Sequence, residues 1–374
     1  MSEAMFIAHT RVVSVEQPCR GFRRIVLAGP DLEAASEDLL GLLPPGVADL
    51  HALYRGFRPR RDAYIKVLIP PPGGVSADPD LSAGFRQGFL ALAEEERGWM
   101  RTYTVRSAGR TRVDGALVPA LTIDVVLHGD PQDTTDPHQG PGLRWAREVS
   151  AGDSVNILVP TSGAPAWSGW RDTHARRVLA VGDETAVPAL ISIAEELADP
   201  FGGFSGQADL VLELPDGAEA ADLIAERLAV PEHWDPQRPT TVAEHGRVRL
   251  HVGHRRADQT PGVWAESRLR ALLGVGAPAL VGAGVGTSGG AGMGVVAGGG
   301  VGMGDGGTVG ADDDGGRDWS LATVADHERP ETSLFLAGEA SMVRTLRRLS
   351  VNEAGIPKAH ISFMGYWRAG QAES

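Results

Sequence analysis

Cysteine is almost missing: the 374 residues contain one, Cys19. A single thiol excludes an internal disulfide, a cysteine-ligated zinc site and a protein-ligated iron–sulfur cluster. Its plain reading is a buried, idle side chain. Lysine is nearly as scarce, with Lys66 and Lys358 the only two, so the chain's positive charge is carried by arginine. No apolar run approaches the roughly 20 residues that span a bilayer. The start, "MSEAMFIAHTRVV", lacks a basic stretch followed by an apolar core, which predicts no signal peptide and a cytoplasmic protein. The net charge of -13 argues against nucleic acid or an anionic membrane as a general partner, since both would repel it. No second histidine stands at ligand spacing from His128, so no metal site is predicted.

What is present divides into two halves. Up to about residue 170 the chain runs in short β-type stretches broken by Gly and Pro, among them "RVVSVE", "FRRIVLAG", "AYIKVLIP", "TYTVRS", "LTIDVVLHG" and "DSVNILVP". That rhythm predicts a small antiparallel β-barrel. From about residue 175 strands alternate with helices: "RRVLAVG" then "VPALISIAEELAD", "QADLVLELP" then "AEAADLIAERLAV", "GRVRLHVG" then "VWAESRLRALLG", and "SLFLAGE" then "SMVRTLRRL". Alternation of this kind predicts βαβ units on a parallel sheet. The expected division is a β-barrel domain over 1–172 and an α/β domain over 173–374. A glycine-rich stretch at about 282–316 interrupts the second domain, too poor in bulky side chains to repay the entropy of ordering it. It includes a decoy: Gly284, Gly286 and Gly289 spell G-x-G-x-x-G, but more glycine follows where a nucleotide-binding helix would have to begin.

Several stretches carry chemical potential. "RTYTVR" crowds Arg101, Tyr103, Thr104 and Arg106 onto one strand, where alternation turns Arg101 and Tyr103 one way and Thr104 and Arg106 the other. In "LAVGDETAVPA" a strand ends at Gly182 and a helix follows, which is either an anion-binding helix start or an ordinary capped turn. "LFLAGEASMVRTLRRL" repeats the pattern with Gly338 and Glu339. "DVVLHG" and "GPGLRWA" place glycines ahead of a short helix, a form that suits a pyrophosphate. The ending "FMGYWRAG" adds Tyr366, Trp367 and Arg368, either simple packing or a lid over a flat ligand.

Taken in order, "RTYTVR" (101–106), "DVVLHG" (124–129), "GLRWA" (142–146), "GDETAVPA" (182–189), "AGEAS" (337–341), "RTLRRL" (344–349) and "GYWRAG" (365–370) resemble the siderophore-interacting protein family, FAD-dependent ferric-siderophore reductases of the ferredoxin–NADP reductase superfamily. The resemblance implies that Arg101, Tyr103 and Thr104 bind FAD, with the Tyr ring against the isoalloxazine and the Thr near its N5. It further implies Leu127, His128, Gly129, Gly142 and Trp145 around the pyrophosphate, Ser162 and Gly163 nearby, and Asp183, Thr185, Gly338, Glu339 and Trp367 from the second domain. The loop between Gly129 and Gly142 departs from the family pattern, as does the glycine-rich insertion.

The expected activity is electron transfer from NADPH, NADH or ferredoxin through FAD to a ferric siderophore, with no catalytic acid, base or nucleophile required. An anionic chelate needs a local cation, for which Lys66, Arg344 and Arg368 are the candidates. Two cues on the donor conflict: Glu213 and Asp216 suit an unphosphorylated ribose, whereas Arg255 and Arg256 suit a 2′-phosphate. The rivals are a general flavin reductase and a siderophore-binding protein without turnover. A monomer or weak oligomer is expected.

Overall fold

The computed structural model describes residues 4–41, 62–82, 84–127, 140–170, 175–199, 204–216, 241–256, 258–276, 319–323 and 329–369, with isolated positions between 220 and 235. The Gly284 decoy and the rest of the 282–316 insertion, His128 and Gly129 lie outside them.

Six strands close a barrel in the order β1-β2-β5-β4-β3-β6. They are β1 (Met5–Cys19), β2 (Phe22–Ala28), β3 (Tyr64–Ile69), β4 (Trp99–Val113), β5 (Ala116–Val126) and β6 (Ser154–Pro160). Every pairing is antiparallel. The β4–β5 turn is Asp114-Gly115, both at positive φ (49° and 85°), the geometry that matches the twist of a two-residue hairpin. Inward-facing Ile25, Leu27, Ile65, Val67, Val105, Leu121, Ile123 and Ile157 fill the barrel. Two helices dress it. α1 (Phe85–Ala91) lays Phe85 over Leu68 and Leu158 on the outer face, and α2 (Pro141–Glu148) plugs one end with Trp145 and Ala146.

A seven-stranded sheet follows, in the order β11-β13-β12-β7-β8-β10-β9. Its strands are β7 (Arg177–Asp183), β8 (Gln207–Pro215), β9 (Thr241–His245), β10 (Val248–Arg255), β11 (Trp319–Ser320), β12 (Thr332–Glu339) and β13 (Ile361–Trp367). The five inner strands run parallel, with β9 and β11 antiparallel at the edges. Helix α3 (Val187–Ala198) covers one face, and α4 (Val263–Leu273) and α5 (Ala340–Arg348) the other. In β7, Val178 and Ala180 face α3 while Leu179 and Val181 face the opposite layer. A strand covered on both sides must be apolar throughout, which is why "VLAV" carries no polar position.

The C-terminal aromatic stretch forms β13, hydrogen-bonded in parallel to β12. The barrel and sheet share a core. Cys19, Phe22 and Trp170 pack with Val187, Ala189 and Phe335, so the lone thiol is an apolar filler. Among the described residues, no helix is long and apolar enough to cross a membrane.

Candidate functional site

Sequence reading singled out three helix starts as possible phosphate cradles, and the structure separates them. At β7–α3, Asp183 Oδ1 accepts from Thr185 N at 2.9 Å and caps the 3-10 turn Glu184–Ala186 that leads into α3. At β12–α5, Glu339 Oε2 accepts from Ser341 N at 2.6 Å and Met342 N at 2.8 Å. A carboxylate already capping a helix repels the anion that would replace it. Helix α2 differs. Its N-cap is Gly140, which has no side chain to offer, and Pro141 follows in the first turn. Among the described residues, no side chain caps the first N–H groups of α2.

That start lies on β4. A Cβ built on Gly142 would stand 2.9 Å from Tyr103 Oη and 3.4 Å from Arg101 Cγ, so only glycine lets the helix settle so closely. The Tyr103 ring is half-buried, 6.2 Å from the Trp145 ring and tilted 32° to it. Burial, opposed by the Arg101 charge, pushes its phenol up to about 12, so it remains a neutral hydroxyl. A guanidinium, an open helix start and a partly exposed ring on one surface fit a flavin dinucleotide: two for the pyrophosphate, one for a flat ring. A cavity of about 870 Å³ adjoins this corner, lined by Trp99, Pro141, Arg144 and Trp145 together with Pro70–Pro72. Of the residues singled out in the sequence, only Trp145 borders it.

Thr104 leans the other way, toward the second sheet. Its hydroxyl donates to Asp62 Oδ1 at 3.4 Å, and the Tyr366 hydroxyl reaches the same oxygen at 3.4 Å. Arg106 was expected on this face, but β4 is bulged between Val105 and Ser107. Arg106 nonetheless faces the second domain as Thr104 does, 3.3 Å from Asp124 and 3.7 Å from Glu195 of α3, and it bridges barrel and sheet. Lys66 is only 7% exposed. Its ammonium donates to Thr102 Oγ1 at 3.2 Å and lies 5.9 Å from the Tyr64 ring centre.

The remaining expected contacts are engaged elsewhere. Asp183 is fully buried: its Oδ2 accepts from Glu339 N at 2.7 Å and from Trp367 Nε1 at 2.9 Å. Gly338, at φ 133°, is needed because a Cβ there would come within 2.6 Å of that carboxyl. Asp183, Thr185, Gly338, Glu339 and Trp367 thus form one strand-end network, which positions Trp367. Burial, with the neighbouring Glu184 charge, pushes Asp183 up to about 6 against the pull of its donors. Ser162 Oγ and Gly163 N both donate to Glu37, at 2.6 and 3.0 Å, which commits the two donors expected for the cofactor. Leu127 packs against the barrel core, and its N–H donates to Gly21 O. Arg344 is exposed on α5 and Arg368 half-buried just after β13.

The donor cues are settled internally too. Both carboxylate oxygens of Glu213 cap α4, at Gly262 N (2.7 Å) and Ala265 N (2.8 Å). Arg255 is buried against Glu184 at 2.7 Å, and Arg256 pairs with Asp258 on the surface. The residues that sequence reading missed, Asp62 and Glu37, gave no local signal. Each is a single carboxylate whose partners are far away in the chain.

Comparison with known proteins agrees with this geometry. Residues 48–164 match the siderophore-interacting FAD-binding domain, and residues 175–370 match the siderophore-interacting protein family. Among solved structures, a siderophore utilization protein from T. fusca is 20% identical with a TM-score of 0.52, over 100% of this chain and 97% of that one. The siderophore-interacting protein SipS from Aeromonas hydrophila is 19% identical with a TM-score of 0.50, over 98% and 94%. At such identities these two speak for the fold alone. The family matches reach further, across the corner built by Arg101, Tyr103 and Gly142 and along the sheet that carries Asp183 and Trp367: the chain belongs to the siderophore-interacting protein family and carries its FAD-binding domain.

Proposed function

We propose that the protein is an FAD-dependent ferric-siderophore reductase, drawing electrons from NADPH, NADH or ferredoxin and releasing Fe(II) inside the cell. One observation supports this above the rest: the start of α2, which no described side chain caps, rests on Arg101 and Tyr103 within the stretch matched as an FAD-binding domain. When bound, FAD turns a two-electron supply into the one-electron steps that ferric iron requires.

The side chains bind and orient. Arg101 and the first N–H groups of α2 hold the pyrophosphate, Tyr103 supports the ring, and Thr104 stands at its edge. The cavity beside Trp99 and Trp145 takes the adenosine half. Lys66, beneath the exposed Thr102, supplies the cation that draws an anionic chelate toward a protein of net charge -13. Hard oxygen donors favour Fe(III), so reduction loosens the iron without any further group acting on it. Glu213 and Arg255 are both engaged within the protein, so the donor is to be found by trial.

The test is anaerobic incubation with NADH, NADPH or reduced ferredoxin, a set of ferric chelates and a ferrous trap. Fe(II) is expected without added free flavin; release only when free flavin is supplied would make the protein a general flavin reductase. Lys66→Ala is expected to lower turnover of an anionic ferric catecholate about tenfold, the size of one charge-assisted contact, with FAD content unchanged. Unchanged turnover would remove Lys66 from the substrate pocket.

A further inference from the structure

Asp62 sits where three stretches of chain converge. It precedes β3, is 1% exposed, and takes a left-handed backbone conformation at φ 51°, which aspartate tolerates better than most residues. From the 168–170 segment, Gly169 N donates to its Oδ2 at 3.0 Å, and a Cβ on Gly169 would come within 2.8 Å of that oxygen. From β4 and β13, the hydroxyls of Thr104 and Tyr366 share its Oδ1. The groups acting most strongly on it are neutral: these two hydroxyls and the N–H groups of Gly169 and Trp170. Tyr64 faces Tyr366, and the cation of β3, Lys66, turns to Thr102 and the Tyr64 ring. Burial pushes the Asp62 carboxyl up to about 7, so at neutral pH it is close to half protonated. Hydroxyls donate or accept as required, so Thr104 and Tyr366 match either state.

We propose that Asp62, with Thr104 and Tyr366, is the proton-exchange station of the flavin site, a role resting on the reading that FAD binds against Thr104. The balance is definite. Two ferric ions each take one electron from a reduced flavin anion, and the ring must also shed one proton. The Thr104 hydroxyl accepts that proton as its own passes to Asp62 Oδ1, and the carboxylic acid so formed returns it to water before the next cycle. Tyr366, whose phenol burial and the Asp62 charge push well above its ordinary value, shares the proton and does not lose its own.

The experiment compares FAD-loaded wild-type protein with Asp62→Asn, Thr104→Val and Tyr366→Phe by two readouts that need no siderophore. One is the absorption spectrum of bound oxidised flavin from pH 5 to 9. The other is proton release, followed with an indicator dye, as ferricyanide oxidises the reduced flavin. The wild-type spectrum is expected to titrate once near neutrality and the Asp62→Asn spectrum not at all, with proton release slowed about tenfold or more in Asp62→Asn and Thr104→Val. Tyr366→Phe is expected to move the midpoint without abolishing it. An Asp62→Asn protein that keeps the wild-type titration and release rate overturns the proposal. Should Asp62→Asn fail to fold, Thr104→Val with unchanged proton release does the same. Wild-type protein that takes up no FAD removes the flavin reading itself, and this proposal with it.

Discussion

Arg101→Gln is expected to purify almost colourless, with its affinity for FAD lowered about 30- to 100-fold, a loss of about 2–3 kcal/mol. The size follows from what the guanidinium does beside α2. A pyrophosphate held at a helix start meets only partial charges from the N–H groups, and Arg101 adds a full charge beside it in the proposed pose. Glutamine keeps the stem that Gly142 packs against and removes the charge, so fold and binding are separated. Tyr103→Leu is expected to cost less, about tenfold, because it removes ring contact and leaves the anion site intact. Gly142→Val attacks the same corner by shape. Its side chain collides with Tyr103 Oη and Arg101 Cγ, lifting the first turn of α2 away from both. Quenching of flavin fluorescence on titration into apoprotein measures all three, with Arg176→Gln, an exposed arginine far along the chain, as the reference. Wild-type affinity in Arg101→Gln would move the pyrophosphate to another site.

How much of this was legible in the sequence depended on distance along the chain. The parallel strands could be read because burial on both faces leaves an unbroken apolar run, as in "RVLAV" and "SLFLA", and the helices between them keep their own period. β13 could not: "ISFMGYW" is short, glycine-broken and defined by pairing with β12, which no local pattern reveals. The edge strands β9 and β11 were missed for the same reason, and α1 was masked by Gly88 within it. "RTYTVR" was recognisable as a site because its chemistry is concentrated in six residues, and alternation put Thr104 and Arg106 on the face that meets the second domain, although the bulge beside Arg106 is invisible without the partner strand. Asp62 lay deepest out of sight. Its partners stand 42, 107 and 304 residues away, and only the folded chain brings them together. Helix starts posed the opposite problem. "GDETA" and "AGEAS" look like anion cradles, and the acids that make them look active are what closes them.

That closure predicts the largest stability effect. Asp183→Ala is expected to cost about 3–5 kcal/mol near pH 5, because the buried donors Glu339 N and Trp367 Nε1 both lose their acceptor. The network spans the ends of β7, β12 and β13, so its loss also frees the strand that carries Tyr366 to Asp62. The pH dependence carries a sign. Burial raises Asp183 to about 6 and Asp62 to about 7 in the folded protein, from an ordinary value of 3.8. Between roughly pH 4 and 7 the folded chain therefore holds protons that the unfolded chain has released, and stability falls as pH rises through that window. At about 1.4 kcal/mol for each tenfold change in proton affinity, Asp183 contributes about 3 kcal/mol of that decline and Asp62 about 4 kcal/mol. Wild-type protein should accordingly be most stable on the acid side of neutrality and level off above pH 7. Asp183→Ala lacks its share of the slope, so the gap between variant and wild type narrows as pH rises from 4 to 6. Trp367→Phe removes a single donor and is expected to cost about 1 kcal/mol with the slope retained. Denaturant unfolding of the three proteins at pH 5 and pH 8 decides the matter: a gap that stays the same at both would mean that Asp183 is ionised throughout and held as an anion by its donors.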